Sequence, residues 1–169
     1  MQALGFPASE VLQGEGGEPI WPAGLCGSIS HSDLLAVSLA APLSAFESVG
    51  VDVDDGRPLG HAAAQAVASK RELRLLQSVG LARSDQDAEN LAFSIKEAVF
   101  KCQYVLTRAR QLRFHQACLV KAPGGAAGCV AVAGWRTSAQ VDTALRRVVV
   151  VVRQIGGHRV ACALAPAHS

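Results

Sequence analysis

Two aspartates, Asp52 and Asp54, stand two residues apart in the apolar run VGVDVD. In a β-strand, side chains at positions i and i+2 leave the same face, so the two carboxylates would lie close together. Crowded carboxylates repel each other unless a cation lies between them, and oxygen ligands of this kind suit Mg²⁺. The pair therefore predicts a magnesium site at a strand end. The alternative is a turn made by Asp54, Asp55 and Gly56 with solvated carboxylates.

A second candidate lies in the segment FSIKEAVFK, where Phe93, Glu97 and Lys101 are spaced i, i+4 and i+8. This spacing places the three side chains on one side of a helix. That side is not the apolar stripe of the helix, yet Phe93 and Phe100 border it, which predicts partial burial of a carboxylate and a lysine. The alternative is an ordinary exposed glutamate–lysine pair.

A third candidate is the string GSISHS, which contains Ser30 and His31 and leads into an apolar segment. Small hydroxyls, backbone amides and an imidazole at the entry of a strand can hold a phosphate. The alternative is a surface turn that happens to contain a histidine.

Strands are predicted on either side of these motifs. Residues 34–41 and 49–53 form two apolar runs joined by a short connection, which we interpret as a pair of neighbouring strands. The glycine-rich and proline-rich stretch before Gly27 is typical of loop or extended chain. In the last third, short apolar runs predict further strands, with a two-residue hairpin at Gly156 and Gly157. The five valines of residues 148–152 suit a central strand.

Two helices are predicted between the strands. Ser69 with Glu72 is a capping-box pattern that opens a short basic helix, which Gly80 ends. Ser84 with Asp87 opens a longer helix that runs to about residue 107, because apolar residues recur there on one helical face. No alternation of strand and helix indicates a parallel sheet, so the predicted class is α+β with antiparallel strands.

The composition excludes several functional classes. Of the 169 residues, 50% are hydrophobic and 18% charged, which is unlike a disordered chain, and a net charge of +2 is too small for a protein that mainly holds nucleic acid. No apolar run approaches the ~20 residues of a membrane helix. Residues 1–22 show no export signal, and five scattered cysteines predict reduced thiols. We therefore expect a cytoplasmic protein without membrane or nucleic-acid partners.

The order of the motifs is more specific than any one of them. EPIWPAG, GSISHS, VGVDVD and FSIKEAVFK follow one another in the chain. This series resembles that of the 4'-phosphopantetheinyl transferases, and among them the surfactin-type and enterobactin-synthetase-component-D-like branch. The likeness runs from about residue 14 to residue 106. It implies an α+β fold of two pseudo-twofold lobes with antiparallel sheets and a long helix, and coenzyme A in the cleft.

The resemblance also implies a reaction and the residues that carry it out. The 4'-phosphopantetheine arm of coenzyme A would pass to a serine of an acyl or peptidyl carrier protein, with Mg²⁺, releasing 3',5'-ADP. The family pattern implies metal ligands at Asp52, Asp54 and Glu97, where Asp54 replaces the more common glutamate. Glu97 is also implied as the base, and Lys101 as the contact to the pyrophosphate. The residues implied in holding coenzyme A are Ser30, His31, Asp52, Lys96 and Lys101.

The same resemblance implies how the chain is divided. Residues 1–48 would be a remnant of the N-terminal lobe, and residues 49–169 the C-terminal lobe that carries the metal site. Members of that branch have several tens of residues before the Trp-Pro segment, including arginines that grip the 3'-phosphate, and MQALGF resembles the end of that region. We expect an incomplete first lobe, from a start placed too late, a truncated gene or a degenerate copy.

Two other functions compete with the transferase. One is a catalytically impaired homologue that only binds carrier protein or coenzyme A, and the other is a soluble α+β domain whose acids are structural. For the transferase, the basic helix with Lys70, Arg71 and Arg74 is the candidate to meet the acidic helix that carrier proteins present. A solvated helix surface is the alternative there.

Overall fold

The structure, a computed structural model, describes residues 4–6, 10–54, 56–108, 112–125 and 128–168, so the Asp55 of the alternative turn lies outside the described residues. The strands are β1 (Leu12–Gln13), β2 (Pro19–Ile20), β3 (Leu25–His31), β4 (Ala36–Pro42), β5 (Phe46–Asp54), β6 (Ala117–Lys121), β7 (Cys129–Gly134), β8 (Val149–Ile155) and β9 (His158–Pro166). The helices are α1 (His61–Val67), α2 (Lys70–Ser78), α3 (Asp85–Thr107) and α4 (Ala139–Arg146). This confirms the predicted α+β class.

The main sheet has five antiparallel strands in the order β5-β9-β8-β7-β6. The valine-rich strand β8 is its central strand, as predicted. Gly156 and Gly157 join β8 to β9, and their φ angles of +55° and +86° are those that a tight two-residue hairpin requires. Both expectations for this part of the chain are confirmed.

The pairing predicted for residues 34–41 and 49–53 is wrong. Strand β4 pairs with β3, and β5 pairs with β9 from the far end of the chain. From Ser48 to Asp54 every residue of β5 is buried. Both faces of this strand must therefore pack against other elements, and it pairs with another buried strand. The segment before Gly27 also ends earlier than expected, because β3 begins at Leu25.

Both predicted helix starts are confirmed. Ser69 and Glu72 form a reciprocal capping box at α2, and the Ser84 side chain accepts a hydrogen bond from the Asp87 amide at α3. Helices α1 and α4 were not predicted. The alanine-rich sequence of α1 has little hydrophobic period, and α4 is only 8 residues long. Phe114 begins a 3-10 turn before β6.

Helix α3 lies on the five-stranded sheet and forms most of the core with it. Its fully buried stripe consists of Leu91, Ile95, Ala98, Val99 and Cys102. At Gly50 the backbones of β5 and α3 touch, since a Cβ there would lie 1.9 Å from the carbonyl oxygen of Ala98. The Ser48 hydroxyl donates to the Cys102 carbonyl oxygen at 2.8 Å, which fixes the register of helix and strand. This contact positions the candidate site.

Over the part of the chain that the structure describes, no helix combines the length and the apolar character that crossing a membrane would take. The cysteines Cys26, Cys102, Cys118, Cys129 and Cys162 are all free, as the sequence predicted.

Candidate active site

Asp52 is the centre of a small polar cluster built from three elements. Its Oδ1 accepts a hydrogen bond from the Ser30 hydroxyl of β3 at 2.8 Å. The same oxygen pairs with the Lys101 ammonium of α3 at 2.8 Å, and that ammonium also donates to the Val51 carbonyl oxygen at 3.0 Å. Asp52 is 9% exposed, so the cation and the hydroxyl compensate a largely desolvated carboxylate.

Strand β3 contacts β5 and the cluster through two serine hydroxyls on one face of the strand. The Ser28 hydroxyl accepts the amide of Val51 at 3.1 Å, and Ser30, two residues later, faces Asp52 from the same side of the strand. Ser28 was not predicted, although the spacing of two serines in GSISHS indicates one face. His31 ends β3, is exposed and leaves the opposite side of the strand from Ser30.

Glu97 lies one helical turn before Lys101 in α3. Burial raises the pKa of its carboxyl group, the negative charge of Asp52 raises it further, and Lys101 opposes both effects. Asp52 and Glu97 therefore act on each other across the boundary between β5 and α3. A carboxyl group whose ionised form is energetically unfavourable is suited to accept a proton or to bind a cation.

Asp54 has other partners. Its Oδ2 forms an ion pair with Arg159, which stands opposite on β9, and its Oδ1 accepts the amide of Gly56 at 2.9 Å. Arg159 also pairs with Asp87 of α3 at 2.6 Å. Among the residues that the structure describes, no group of three or more histidine, cysteine, aspartate or glutamate side chains is placed to hold a metal ion.

The donor chemistry at Asp52 and Glu97 nevertheless fits a hard cation. Two carboxylates that repel each other, in a partly desolvated place with Lys101 nearby, offer the oxygen ligands that Mg²⁺ takes in proteins. Mg²⁺ commonly uses one or two carboxylates together with substrate phosphates and water. The carboxylate of Asp54 would be available to the same ion only after its pair with Arg159 opens.

Lys96 points away from this cluster. Successive helix residues are turned by about 100°, so Lys96 and Glu97 leave α3 in different directions. The Lys96 ammonium pairs with Glu72 of α2 at 2.7 Å and donates to the carbonyl oxygens of Val67 and Phe114 at 2.7 and 3.0 Å. Burial opposes ionisation of Glu72, but Lys96 and the hydrogen bonds to its carboxylate hold the pKa of Glu72 below its ordinary value.

A polar stripe of α3 runs alongside its apolar stripe and was not predicted from the sequence. Asn90 and Ser94 are buried, and their spacing places them in line with Glu97 and Lys101. The signal was present as a run of polar residues at i, i+4, i+7 and i+11. Asn and Ser carry no charge and are also common on exposed helix faces, so their spacing alone does not indicate a buried stripe.

Two clefts flank the cluster and share Phe100. A cleft of about 260 Å³ is lined by Lys96, Glu97, Phe100, Leu112, Arg113, Phe114 and Ala117. Another, of about 310 Å³, lies between residues 16–19 and 27–29 on one side and residues 100–105 of α3 on the other, with Lys101 in its wall. An extended ligand that passes Glu97 and Lys101 would have room on either side of them.

Comparison with known proteins identifies related sequences. The family model described as 4'-phosphopantetheinyl transferase superfamily matches residues 48–163, and the model described as 4'-phosphopantetheinyl transferase N-terminal domain matches residues 1–41. Similar curated proteins include 4'-phosphopantetheinyl transferase Svp of Streptomyces mobaraensis, 33% identical over 71% of this chain and 48% of the relative. Npt of Nocardia iowensis is 33% identical over 68% of this chain and 50% of the relative.

A third relative, 4'-phosphopantetheinyl transferase PptT of Mycobacterium tuberculosis, is 30% identical over 69% of this chain and 50% of its own length. The chain thus spans about half the length of the curated relatives that it matches. The match to the superfamily model covers most of β5, which carries Asp52, and all of α3, which carries Glu97 and Lys101.

Proposed function

This chain belongs to the 4'-phosphopantetheinyl transferase superfamily, and from that premise we propose that it transfers the 4'-phosphopantetheine arm of coenzyme A to a carrier protein. The acceptor is a serine hydroxyl of an apo acyl or peptidyl carrier protein, and 3',5'-ADP leaves. The motif order further favours the surfactin-type branch. The observation that carries the proposal is the convergence of Asp52, Glu97 and Lys101 between β5 and α3.

The residues of the cluster have complementary tasks in this reaction. The serine oxygen attacks the phosphorus that bears the pantetheine arm, and the bond from that phosphorus to the bridging oxygen breaks. Glu97, whose raised pKa favours proton uptake, accepts the serine proton directly or through water. Lys101 stabilises the negative charge that develops on the leaving phosphate.

Coenzyme A is held, on this proposal, by the surroundings of Asp52. The single O–H of Ser30 donates to Asp52, so it would have to turn to reach a phosphate oxygen, whereas Lys101 has one N–H beyond those that it donates to Asp52 and Val51. His31 is exposed at the end of β3, on the side of the strand opposite to Ser30, and on this proposal it would meet the 3'-phosphate from solvent. The cleft beside Glu97 and Phe100 gives space for the arm.

Mg²⁺ is the cofactor that the carboxylates fit. Asp52 and Glu97 would hold it, with Asp54 as a third ligand once Arg159 releases its carboxylate. Bound there, a divalent cation supplies charge stabilisation to the pyrophosphate oxygens. Because all five cysteines are free, we place the reaction in a reducing cytoplasm.

One observation favours a second candidate, a homologue that binds coenzyme A without transferring the arm. The Asp54 carboxylate, a third metal ligand on the family pattern, is engaged by Arg159. If that ion pair persists with coenzyme A bound, the cation has fewer ligands and catalysis fails while phosphate contacts remain.

The release of 3',5'-ADP distinguishes the two. The chain is incubated with coenzyme A, Mg²⁺ and an apo carrier protein, and the nucleotide is quantified by chromatography. We expect release that requires Mg²⁺ and stops when the target serine of the carrier is changed to alanine. Calorimetric binding of coenzyme A without nucleotide release would support the binding homologue. If the chain neither binds coenzyme A nor releases nucleotide, both candidate functions are contradicted.

A further inference from the structure

The largest fully buried side chain of the described residues is a lysine. Lys96 is 1% exposed, and its partner Glu72 is 6% exposed. An ammonium has three N–H groups, and three protein acceptors surround this one: the Glu72 carboxylate and the carbonyl oxygens of Val67 and Phe114. No N–H of Lys96 is left over for a phosphate of coenzyme A.

Glu72 is equally well satisfied. Its Oε1 accepts the amide of Leu119 at 3.0 Å in addition to Lys96, and its Oε2 accepts the amide and the hydroxyl of Ser69, both at 2.8 Å. The carboxylate therefore caps α2, binds the backbone of β6 at Leu119 and neutralises a cation of α3. A single charge pair joins these elements to the end of α1 and to the 3-10 turn at Phe114.

The pair fixes the turn of α3 that carries the proposed base. Lys96 directly precedes Glu97, and both line the cleft that also contains Phe100 and Phe114. Anchoring the Lys96 side chain to α1, α2 and the 3-10 turn limits rotation of α3 about its axis at this turn. The direction in which Glu97 leaves the helix depends on that rotation.

We infer that Glu72 and Lys96 are a positioning pair: they set the direction of Glu97, and Lys96 makes no contact with coenzyme A. The inference rests on the proposed transfer reaction, and it replaces the role in coenzyme A binding that the family resemblance implies for Lys96. Glu72 gains a role beyond the capping box in which the sequence placed it.

The test uses three variants: Glu72→Gln, Lys96→Met and the double variant that carries both. Each single change leaves one buried charge without its partner, which is strongly destabilising, whereas the double change removes both charges at nearly constant volume. We expect each single variant to melt at a lower temperature than the double variant. A loss of melting temperature in the double variant that equals the sum of the two single losses would show that the two groups are not coupled.

The double variant then separates positioning from ligand binding. Measured below its melting temperature, kcat should fall by about 10-fold to 100-fold, since small displacements of a catalytic group have effects of this size. The calorimetric Kd for coenzyme A should stay within about two-fold of the unaltered chain, because no phosphate contact is lost. Arg146→Met, which removes an exposed cation paired with Asp142 on α4, is the control and should change neither quantity.

Each other result overturns the inference. A raised Kd for coenzyme A in both variants that lack Lys96 would assign that lysine to the ligand. Unchanged kcat and Kd in the double variant would make the pair structural only. If the unaltered chain itself transfers nothing, the proposed function fails and the positioning role fails with it, a result that is distinguishable because it appears before any substitution is made.

Discussion

At Glu97, burial and the negative charge of Asp52 act in the same direction, so the fold is less stable when this carboxyl group is ionised. Lys101 compensates only in part, because it is paired with Asp52. Such unfavourable charge is expected where a group must take a proton or a cation during the reaction. Glu97, the proposed general base, therefore lowers the stability of the apo protein when it is ionised.

Glu97→Gln is expected to stabilise the apo protein while greatly slowing transfer. The pKa of Glu97 is raised above 4.5 in the folded state, so the unaltered chain loses stability as the pH rises from about 4.5 through the folded pKa. Glu97→Gln has no carboxyl group to ionise at this position and does not lose this stability. The difference in unfolding free energy should be near zero well below pH 4.5 and should grow toward neutral pH, measured by urea unfolding in EDTA.

A difference that stays constant across this pH range would remove the electrostatic account of Glu97. Loss of the general base should lower the transfer rate by about 10²-fold to 10⁴-fold at neutral pH. The matched control is Glu89→Gln on the same helix, for which stability and transfer should both stay near those of the unaltered chain.

At the scale of elements, the close approach of β5 and α3 is what brings Asp52 to Lys101. The approach is possible because Gly50 has no side chain where the backbone of α3 passes. Ser48 and Gly50 face α3 together with Asp52, since they alternate along one side of the strand. The strand thus carries the packing contact and the site residue on a single face.

Gly50→Ala is expected to lower the unfolding free energy by about 3 kcal/mol, the upper part of the range for overpacked cores. Its Cβ would meet the Ala98 carbonyl oxygen at 1.9 Å and the Cys102 amide nitrogen at 2.8 Å, and backbone atoms cannot rotate away. Because strand and helix must separate, transfer should fall too, even well below the melting temperature.

Gly60→Ala is the matched control, because nothing lies within 4 Å of a Cβ at that position. Gly60 precedes α1 in extended backbone, and the change should alter stability by about 0.5 kcal/mol or less. Urea unfolding of both variants checks the pair. Similar stability of the two would mean that β5 and α3 do not approach each other as closely as the structure has them.

Elements with a clear local signal could be predicted from the sequence, unlike α1, α4 and the pairings of distant strands. The caps at Ser69 and Ser84 depend on residues three positions away, so their spacing is visible in the chain. The pairing of β5 with β9 joins residues more than 100 positions apart, and apolar strands do not specify their partner by composition.

The candidate site divides in the same way. The type and spacing of Asp52, Glu97 and Lys101 indicated a site before the fold was known. The engagement of Asp54 by Arg159, 105 positions away, and that of Lys96 by Glu72 depend on the tertiary fold. Both buried partners are ordinary charged residues in the sequence, and only packing gives them their roles.

At the scale of the whole molecule, a net charge of +2 leaves partner recognition to local patches. Helix α2 buries Glu72, Leu73 and Leu76 and exposes Lys70, Arg71 and Arg74. The ion pair of Glu72 with Lys96 holds α2 against the part of α3 that carries Glu97. The basic face of α2 is therefore rigidly connected to the cleft that Lys96 and Glu97 line. An acidic helix of a carrier protein would meet complementary charge there.

Reversing Lys70 and Arg74 to glutamate should raise KM for the carrier protein and leave KM for coenzyme A unchanged. The two residues are four apart and share one face of α2. The effect should diminish with added salt, since exposed charges are screened over about 8 Å at physiological ionic strength. Steady-state kinetics at low and high salt check this.

Lys121 and Arg153, both exposed, give a control with the same change in net charge when reversed to glutamate. If the control raises KM for the carrier as much as the α2 variant does, net charge and not the basic face of α2 governs recognition. Unchanged carrier kinetics in the α2 variant at low salt would exclude this helix from the interface.

The central claim is that Asp52, Glu97 and Lys101 form a phosphopantetheine transfer site, and the intact mass of the acceptor tests it most directly. An apo carrier protein is incubated with coenzyme A, Mg²⁺ and either the unaltered chain or Glu97→Gln, and its mass is then recorded. We expect a gain of one phosphopantetheine group with the unaltered chain and none with the variant over the same time. An unchanged mass with the folded, unaltered chain, or an equal gain with the variant, would contradict it.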